Sequence, residues 1–314
     1  MKFPKIFILL STFNRAYLIE DTLNSIINQT YKNWECIIVD DLSEDETKQL
    51  IEKYIKIDQR FSYYLKSDKY RKGLSGSRNY GLDIAFHKNA EYIQFFDDDD
   101  IMHPQKLEMQ IRPFMENEDL DLTICCYRKF HKKSTIQFDL DKASDGSCNI
   151  CSDELLRDFY LNRVDLNSPG PLWKAEVLKN YRFCEHLEYA EEREFYLRIF
   201  LNETINYRPV DKVLFWYRKH DRAITSNLYG ETSRKKESMV LFERTFFREV
   251  LTQENAPYFI LKSLAKQAVN NSDYRSISDL MEYIKNRLNL LDLRYMKLLA
   301  FLFYNRMTKK MVDA

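Results

Sequence analysis

The sequence contains little glycine or proline and carries no net charge. It has 6 glycines and 7 prolines in 314 residues, and no internal repeat or low-complexity tract, which indicates an ordered chain. Lys plus Arg and Asp plus Glu both number 48. This balance argues against a strongly basic nucleic-acid binder, although a local basic patch stays open. We therefore expect no nucleic-acid partner.

Long apolar runs and a disulfide pattern are also missing. No stretch reaches the roughly 20 apolar residues needed to span a bilayer, and the N-terminal segment is too short for a signal peptide. The 6 cysteines are scattered, unlike those of a small disulfide framework. Residues 148–151 have C-x-x-C spacing, and without a second pair a loop with free thiols is favoured over a metal site. We expect a cytoplasmic protein.

The two glycine-rich motifs that hold nucleotide phosphates are absent. The sequence contains neither a P-loop nor the G-x-G-x-x-G fingerprint. Gly73, Gly76 and Gly81 are spaced differently, as expected of glycines in turns and close packing. If a nucleotide binds, carboxylates and a metal must therefore hold its phosphates.

The N-terminal half alternates apolar runs with amphipathic segments. Four runs have the length and composition of buried strands: residues 6–10, 35–39, 61–65 and 92–96. The alternation predicts an α/β fold with a mostly parallel, Rossmann-like sheet and helices on both faces. The pattern becomes helical near residue 231, so we predict a domain at residues 1–226 and a helical extension at residues 227–314. Ser43 and Glu46 have capping-box spacing for a helix start.

Four consecutive aspartates, residues 97–100, directly follow the fourth predicted strand. Like charges this close repel, so some protonate or a cation neutralises them. Mg²⁺ and Mn²⁺ prefer such oxygen ligands and often share them with phosphates. In a parallel sheet the polar tails at residues 11–15 and 40–41 should converge on the same edge. A metal–phosphate site is therefore favoured over a solvated acidic turn.

The last apolar segment, residues 295–304, is followed by Arg306, Lys309 and Lys310. Basic amphipathic helices of this kind can dock at the inner face of a membrane. Packing against the chain's own domain or a partner chain is the interpretation we favour. Peripheral membrane contact through the C-terminal helices and a homo-oligomer both stay open.

An ordered set of motifs resembles the family 2 glycosyltransferases, which are inverting enzymes with the GT-A fold. The matching segments lie between about residues 5 and 226: residues 11–15, 26–31, 39–43, 76–79, 97–100 with Pro104, 191–192 and 217–220. The resemblance implies transfer of a sugar from a nucleotide-diphosphate donor, with a UDP-sugar favoured, to an acceptor hydroxyl. Surface polysaccharide or glycan synthesis is the expected setting.

The resemblance also implies roles for particular residues. The residues that would contact the nucleotide-sugar are Ser11, Thr12, Phe13, Arg15, Asp41, Arg78, Asp97 and Asp98. Asp99, with Asp97 and His220, would hold Mg²⁺ or Mn²⁺. Glu192 would be the catalytic base, with Glu191 beside it, where the family usually has Glu-Asp. The pair also falls near a predicted helix start, where helix capping alone would account for it.

The acceptor would be a glycan or a lipid-linked molecule. Residues 132–151 and 167–173 would meet it, with Trp173 as a contact. Two other functions stay open: a non-catalytic nucleotide-sugar-binding or scaffold member of the family, and a metal-dependent phosphoryl-transfer enzyme. The second of these leaves Glu191 and Glu192 without a role.

Overall fold

The computed structural model describes residues 3–131, 133–140, 148–220, 232–287 and 292–310. The chain forms two compact units, Met1–Phe242 and Glu243–Ala314. The predicted boundary between residues 226 and 227 lies outside the described residues. Among the described residues, no helix combines the length and the apolar character needed to cross a membrane.

One sheet forms the centre of the first unit. Its strands are β1 Ile6–Thr12, β2 Trp34–Asp40, β3 Phe61–Leu65, β4 Tyr92–Asp97, β5 Ile101–Met102, β6 Leu122–Phe130, β7 Pro171–Lys174 and β8 Tyr207–Arg218. Their order is β3-β2-β1-β4-β7-β6-β8-β5. The β3-β2-β1-β4 half is parallel, whereas β7 runs antiparallel to β4 and β6, and β5 runs antiparallel to β8. The predicted mostly parallel sheet is confirmed.

Helices follow the strands as the apolar spacing predicts. They are α1 Ile19–Ile27, α2 Thr47–Ile57, α3 Leu74–His87, α4 Lys106–Glu116, α5 Leu155–Tyr160, α6 Ala175–Leu178, α7 Glu191–Asn202, α8 Thr232–Thr252, α9 Tyr258–Asn270, α10 Tyr274–Arg287 and α11 Leu293–Lys310. A 3-10 turn covers Lys133–Thr135. The capping-box prediction is wrong: α2 begins at Thr47, and Ser43 Oγ accepts the N–H of Asn14 (2.9 Å) instead of an N–H of α2.

The register of the parallel strands brings their polar tails to one edge. Ser11 lies opposite Asp97 across β1 and β4, and Thr12 lies opposite Asp40 across β1 and β2. Below this edge an aromatic cluster fills the core, with Phe183 and Phe195 stacked at 3.9 Å between ring centroids. Tight packing under the edge limits its movement.

The start of α3 lies against the loop before it. A Cβ at Gly76 would lie 2.0 Å from the backbone oxygen of Arg71. A Cβ at Gly81, one and a half turns further along α3, would make ordinary contacts, the nearest at 3.6 Å to Val39. Only the first glycine is therefore required by close packing.

We predict that Gly76→Ala lowers the free energy of unfolding by about 1–3 kcal/mol, because the backbone at Arg71 must move to admit the methyl group. Gly81→Ala is the matched control in the same helix. It should be neutral or stabilising by up to about 1 kcal/mol, because alanine favours helix more than glycine does. Urea unfolding followed by circular dichroism measures both. Equal stability of the two variants would contradict the prediction.

Candidate active site

The first two of the four consecutive aspartates pair with different arginines. Arg78 Nη2 donates to Asp97 Oδ1 (3.0 Å), and Arg15 Nε donates to Asp98 Oδ1 (3.2 Å). Burial raises the pKa of Asp98 to about 7, and the nearby Asp99 charge adds to the rise while Arg15 opposes it. Each arginine thus offsets part of the cost of burying a carboxylate.

The other two aspartates differ in role. Asp99 Oδ2 lies 3.0 Å from His220 Nε2. Asp100 is fully buried, and its Oδ1 accepts the backbone N–H of Arg218 (2.9 Å) while its carbonyl accepts the Thr22 hydroxyl (2.8 Å). Asp100 therefore fixes the end of β8, and that end carries His220 to Asp99.

Arg78 connects the acidic edge to the start of α7. Its guanidinium is buried, with Nη2 on Asp97 and Nη1 3.4 Å from Glu191 Oε1. Burial raises the pKa of both carboxyls, and Arg78 is the largest influence that lowers them. We expected Arg78 beside the base or diphosphate of a donor; the structure places it between two carboxylates.

Glu192 lies in the first turn of α7, which Ala190 enters with a left-handed φ of 62°. Its Oε2 accepts two hydrogen bonds from Ser168, one from the backbone N–H (2.8 Å) and one from Oγ (2.5 Å). Burial raises the pKa of Glu192 to about 7 and the Glu191 charge adds to this, whereas Arg78 and Ser168 lower it. A carboxylate with this pKa is suited to act as a base near neutral pH.

Two buried glutamines hold the turn that contains Ser168. Gln94 Nε2 donates to the Pro169 carbonyl (3.0 Å), and Gln110 Nε2 donates to the Gly170 carbonyl (2.8 Å). Both glutamine side chains are fully buried. Sequence reasoning missed Ser168 and these supports, because no spacing pattern relates residues on separate strands and helices.

Asp41 lies beside a buried cation, Lys66, that was also missed. Lys66 forms an ion pair with Asp41 Oδ1, and the Gly73 N–H donates to Oδ2 (2.6 Å). Lys66 also donates to the Arg71 carbonyl (2.7 Å), and the Asp41 N–H donates to the Thr12 carbonyl (2.9 Å). A carboxylate and an ammonium therefore lie side by side at the sheet edge, both buried.

The remaining predicted donor residues lie on the same edge with different exposure. Thr12 is buried, Ser11 is partly buried, and Phe13 is 40% exposed. Lys72 Nζ lies 4.9 Å from the centre of the Phe13 ring. Phe13 is thus the most exposed of the three.

Trp173 requires a correction. It is fully buried in β7, where its ring lies 5.4 Å from Tyr196 and 6.2 Å from Phe200 between centroids. The Trp173 side chain has no exposed surface, so it has no face with which to contact an acceptor. The other predicted acceptor loop, residues 132–151, lies partly outside the described residues.

The family model described as Glycosyl transferase family 2 matches residues 7–163, half of the chain. The chain belongs to glycosyltransferase family 2. The matched part contains Asp41 and the four aspartates but ends before Ser168 and Glu192.

Curated relatives of this family 2 chain include glycosyltransferases from several bacteria. The GalNAc(5)-diNAcBac-PP-undecaprenol beta-1,3-glucosyltransferase of Campylobacter jejuni is 29% identical over 64% of this chain and 61% of that protein. Putative glycosyltransferase EpsH of Bacillus subtilis is 28% identical over 70% and 62%. The chain thus spans about three fifths of the length of these two relatives. An uncharacterized glycosyltransferase of Haemophilus influenzae is 26% identical over 93% and 94%.

Solved structures confirm the GT-A fold. S. aureus TarS 1-349 in complex with UDP aligns with a TM-score of 0.61 and 19% identity, over 96% of this chain and 89% of that chain. The mannosyltransferase PcManGT of Pyrobaculum calidifontis, in complex with GDP-Man and Mn²⁺, aligns with a TM-score of 0.55 and 16% identity, over 99% and 88%.

The acidic edge brings together two of the side chains predicted to hold a divalent cation. Asp99 and His220 bring an oxygen and a nitrogen ligand together, each side chain 15% exposed. Asp97, the other predicted ligand, accepts a hydrogen bond from Arg78. Within the described ranges, no three His, Cys, Asp or Glu side chains form a complete ligand set. Mg²⁺ usually takes one or two carboxylates and completes its shell with water and substrate phosphates.

We predict that Arg78→Met lowers the free energy of unfolding by about 3–5 kcal/mol near pH 8, because Asp97 and Glu191 lose their shared cation. The deficit should shrink toward about pH 5. Without Arg78 the pKa values of both carboxyls rise further, so the folded state binds more protons than the unfolded state and stability falls as pH rises.

The matched control is Arg208→Met, which removes an exposed ion pair with Glu116 (3.1 Å). It should cost less than about 1 kcal/mol at both pH values. Thermal and urea unfolding measure the difference. A deficit in Arg78→Met that does not change with pH would contradict the role of the buried carboxylates.

Proposed function

We propose that this chain is an inverting glycosyltransferase that moves a sugar from a nucleotide-diphosphate donor to an acceptor hydroxyl. The observation that carries the proposal is the environment of Glu192. Its carboxylate is oriented by two hydrogen bonds from Ser168 and has a pKa of about 7. Through Glu191 and Arg78 it belongs to the same charge network as Asp97 at the acidic edge.

Glu192 acts as the general base. It takes the proton of the acceptor hydroxyl while that oxygen attacks the anomeric carbon, and the bond from this carbon to the phosphate oxygen breaks. One displacement with one base inverts the configuration at the anomeric carbon. Ser168 holds the base in position, and Arg78 limits the repulsion between Glu191 and its neighbours.

The Asp41–Lys66 pair suits uracil, thymine or guanine, and among these we propose a uracil nucleotide. Its carboxylate can accept the base N–H, and the ammonium of Lys66 lies next to it, where a base carbonyl would fit. Uracil, thymine and guanine present an N–H beside a carbonyl, whereas cytosine and adenine do not. UDP in complex with TarS agrees with this choice.

Asp99 and His220 would hold Mg²⁺ or Mn²⁺, and the bound ion would neutralise charge on the departing diphosphate. Arg15 adds positive charge at the same edge. Its Nη2 lies 4.0 Å from Asp99 Oδ2, and its Nε lies 3.2 Å from Asp98 Oδ1. Phe13, whose side chain is 40% exposed, would contact the nucleoside.

The acceptor is proposed to be a growing glycan, with a lipid-linked glycan as the leading candidate. The support is the name of the Campylobacter jejuni relative, whose acceptor is an undecaprenol-linked glycan. Surface polysaccharide or glycan synthesis and a cytoplasmic location belong to the same proposal.

The test is turnover of a panel of UDP-, GDP- and dTDP-sugars with Mn²⁺, followed by release of the nucleoside diphosphate. We expect slow release from one UDP-sugar and faster release when the acceptor is added. Binding without turnover of any donor would favour a scaffold protein. Release of inorganic phosphate without sugar transfer would favour phosphoryl transfer.

Glu192→Gln should reduce transfer at least about 100-fold and keep donor affinity within a few-fold, because the amide has the same shape but cannot take a proton. Calorimetric titration of UDP measures binding. Glu188→Gln, on an exposed residue shortly before α7, is the control and should keep full activity. Full activity in Glu192→Gln would refute its role as the base.

The pH dependence of transfer gives an independent check on the base. The rate should rise with pH and reach half its maximum near pH 7, because Glu192 must be ionised to accept a proton. Ser168→Ala should move this midpoint upward by up to about 1 unit, because the carboxylate loses a hydrogen bond that favours its charged form.

Ser152→Ala is the control for Ser168→Ala, since the Ser152 hydroxyl donates to Asp158 (2.7 Å), which belongs to none of the site contacts above. Its pH profile should match that of the unmodified chain. An unchanged midpoint in Ser168→Ala would show that this serine does not tune the base.

A further inference from the structure

The C-terminal helix α11 carries apolar side chains on two sides. It packs against α9 and α10 within the second unit, and Leu298 and Leu302 are buried. Tyr295 on α11 and Tyr258 on α9 lie 5.6 Å apart between ring centroids. One apolar side of α11 is thus occupied by its own unit.

The other side forms an exposed apolar row of Leu293, Met296, Ala300, Phe303 and Met307. The spacing of three and four residues places all five on one helix face. Leu293 is 67% exposed, Phe303 is 56% and Met296 is 51%. The neighbouring helices differ, since α9 and α10 contain no comparably exposed large apolar side chain. Such a contiguous apolar face marks an interaction surface.

The charges of α11 all have one sign. Its sequence contains five basic residues and no acidic residue: Arg294, Lys297, Arg306, Lys309 and Lys310. Arg294 is paired with Asp292 (2.6 Å), just before the helix. Lys297 and Arg306 lie on opposite flanks of the apolar row by helical period. An apolar row between cations complements a surface that is apolar inside and negatively charged at its rim.

A second copy of the chain fits this face less well. Two identical copies of α11 would bring cation against cation, with no acidic side chain on either helix. The row also covers only about two heptads, fewer than the three or four typical of a coiled coil. The charge pattern therefore favours a lipid surface over self-association.

We propose that α11 docks on the surface of an anionic phospholipid bilayer. The apolar row enters the boundary between headgroups and acyl chains, and the basic side chains reach the lipid phosphates. This inference goes beyond the proposed function and is tested without donor or acceptor, so it can fail while glycosyl transfer stands.

The test is sedimentation of the full chain with vesicles. Unmodified protein should bind vesicles of equal parts phosphatidylglycerol and phosphatidylcholine at least about tenfold more strongly than vesicles of phosphatidylcholine alone. High salt should weaken the binding, because it screens the charges. Met296→Glu with Phe303→Glu should weaken binding at least about tenfold, since two charges must then enter the apolar boundary. Lys297→Glu with Arg306→Glu should have an effect of similar size.

Ile57→Glu is the matched control, because Ile57 is an apolar side chain, 71% exposed, in the first unit. It should leave vesicle binding unchanged, and circular dichroism should show that every variant keeps its fold. Absence of binding to the anionic vesicles, or equal binding by all variants, would overturn the proposal. The proposal would also be overturned if the unmodified chain does not bind vesicles but forms a dimer in solution, and Met296→Glu with Phe303→Glu makes it monomeric. That result would assign the apolar row to contact with a second copy.

Discussion

The site depends on burying several carboxylates at one sheet edge without leaving their charge uncompensated. An unpaired buried charge costs several kcal/mol of stability. Cations from distant segments of the chain offset this cost. Arg15 arrives from the loop after β1 and pairs with Asp98, whereas Arg78 arrives from α3 and pairs with Asp97. Asp100 instead accepts a backbone N–H at the end of β8. The same contacts therefore balance charge and hold the loops of the site together.

The proposed chemistry depends on buried carboxylates whose charge is only partly balanced by nearby cations. Burial raises the pKa of Glu192 to about 7, whereas an exposed glutamate has a pKa near 4 and is a weak base. Arg78 lies close enough to limit this rise in pKa, but it donates its hydrogen bonds to Asp97 and Glu191. Ser168 orients the Glu192 carboxylate through two hydrogen bonds. The balance between burial and these partners, rather than any one contact, sets the proton affinity of the base.

Much of the fold follows from local patterns. Runs such as residues 6–10 predict buried strands because each side chain is apolar. The alternation of these strands with helices is compatible with only a few chain topologies. Local patterns failed where a distant group competed. Ser43 Oγ accepts the N–H of Asn14, which comes from the loop after β1, rather than capping α2. Trp173, expected to contact the acceptor as part of residues 167–173, belongs to the core of β7.

The sequence by itself determined the strand–helix order, the four adjacent aspartates, the glutamate pair at the start of α7 and the cationic, acid-free composition of α11. Each is a property of neighbouring residues. Only the tertiary structure decided the partner of each aspartate, the support of Glu192 by Ser168, the buried Lys66 beside Asp41, and which side of α11 stays exposed. These depend on contacts between residues far apart in the chain, and such contacts exist only once the core is packed.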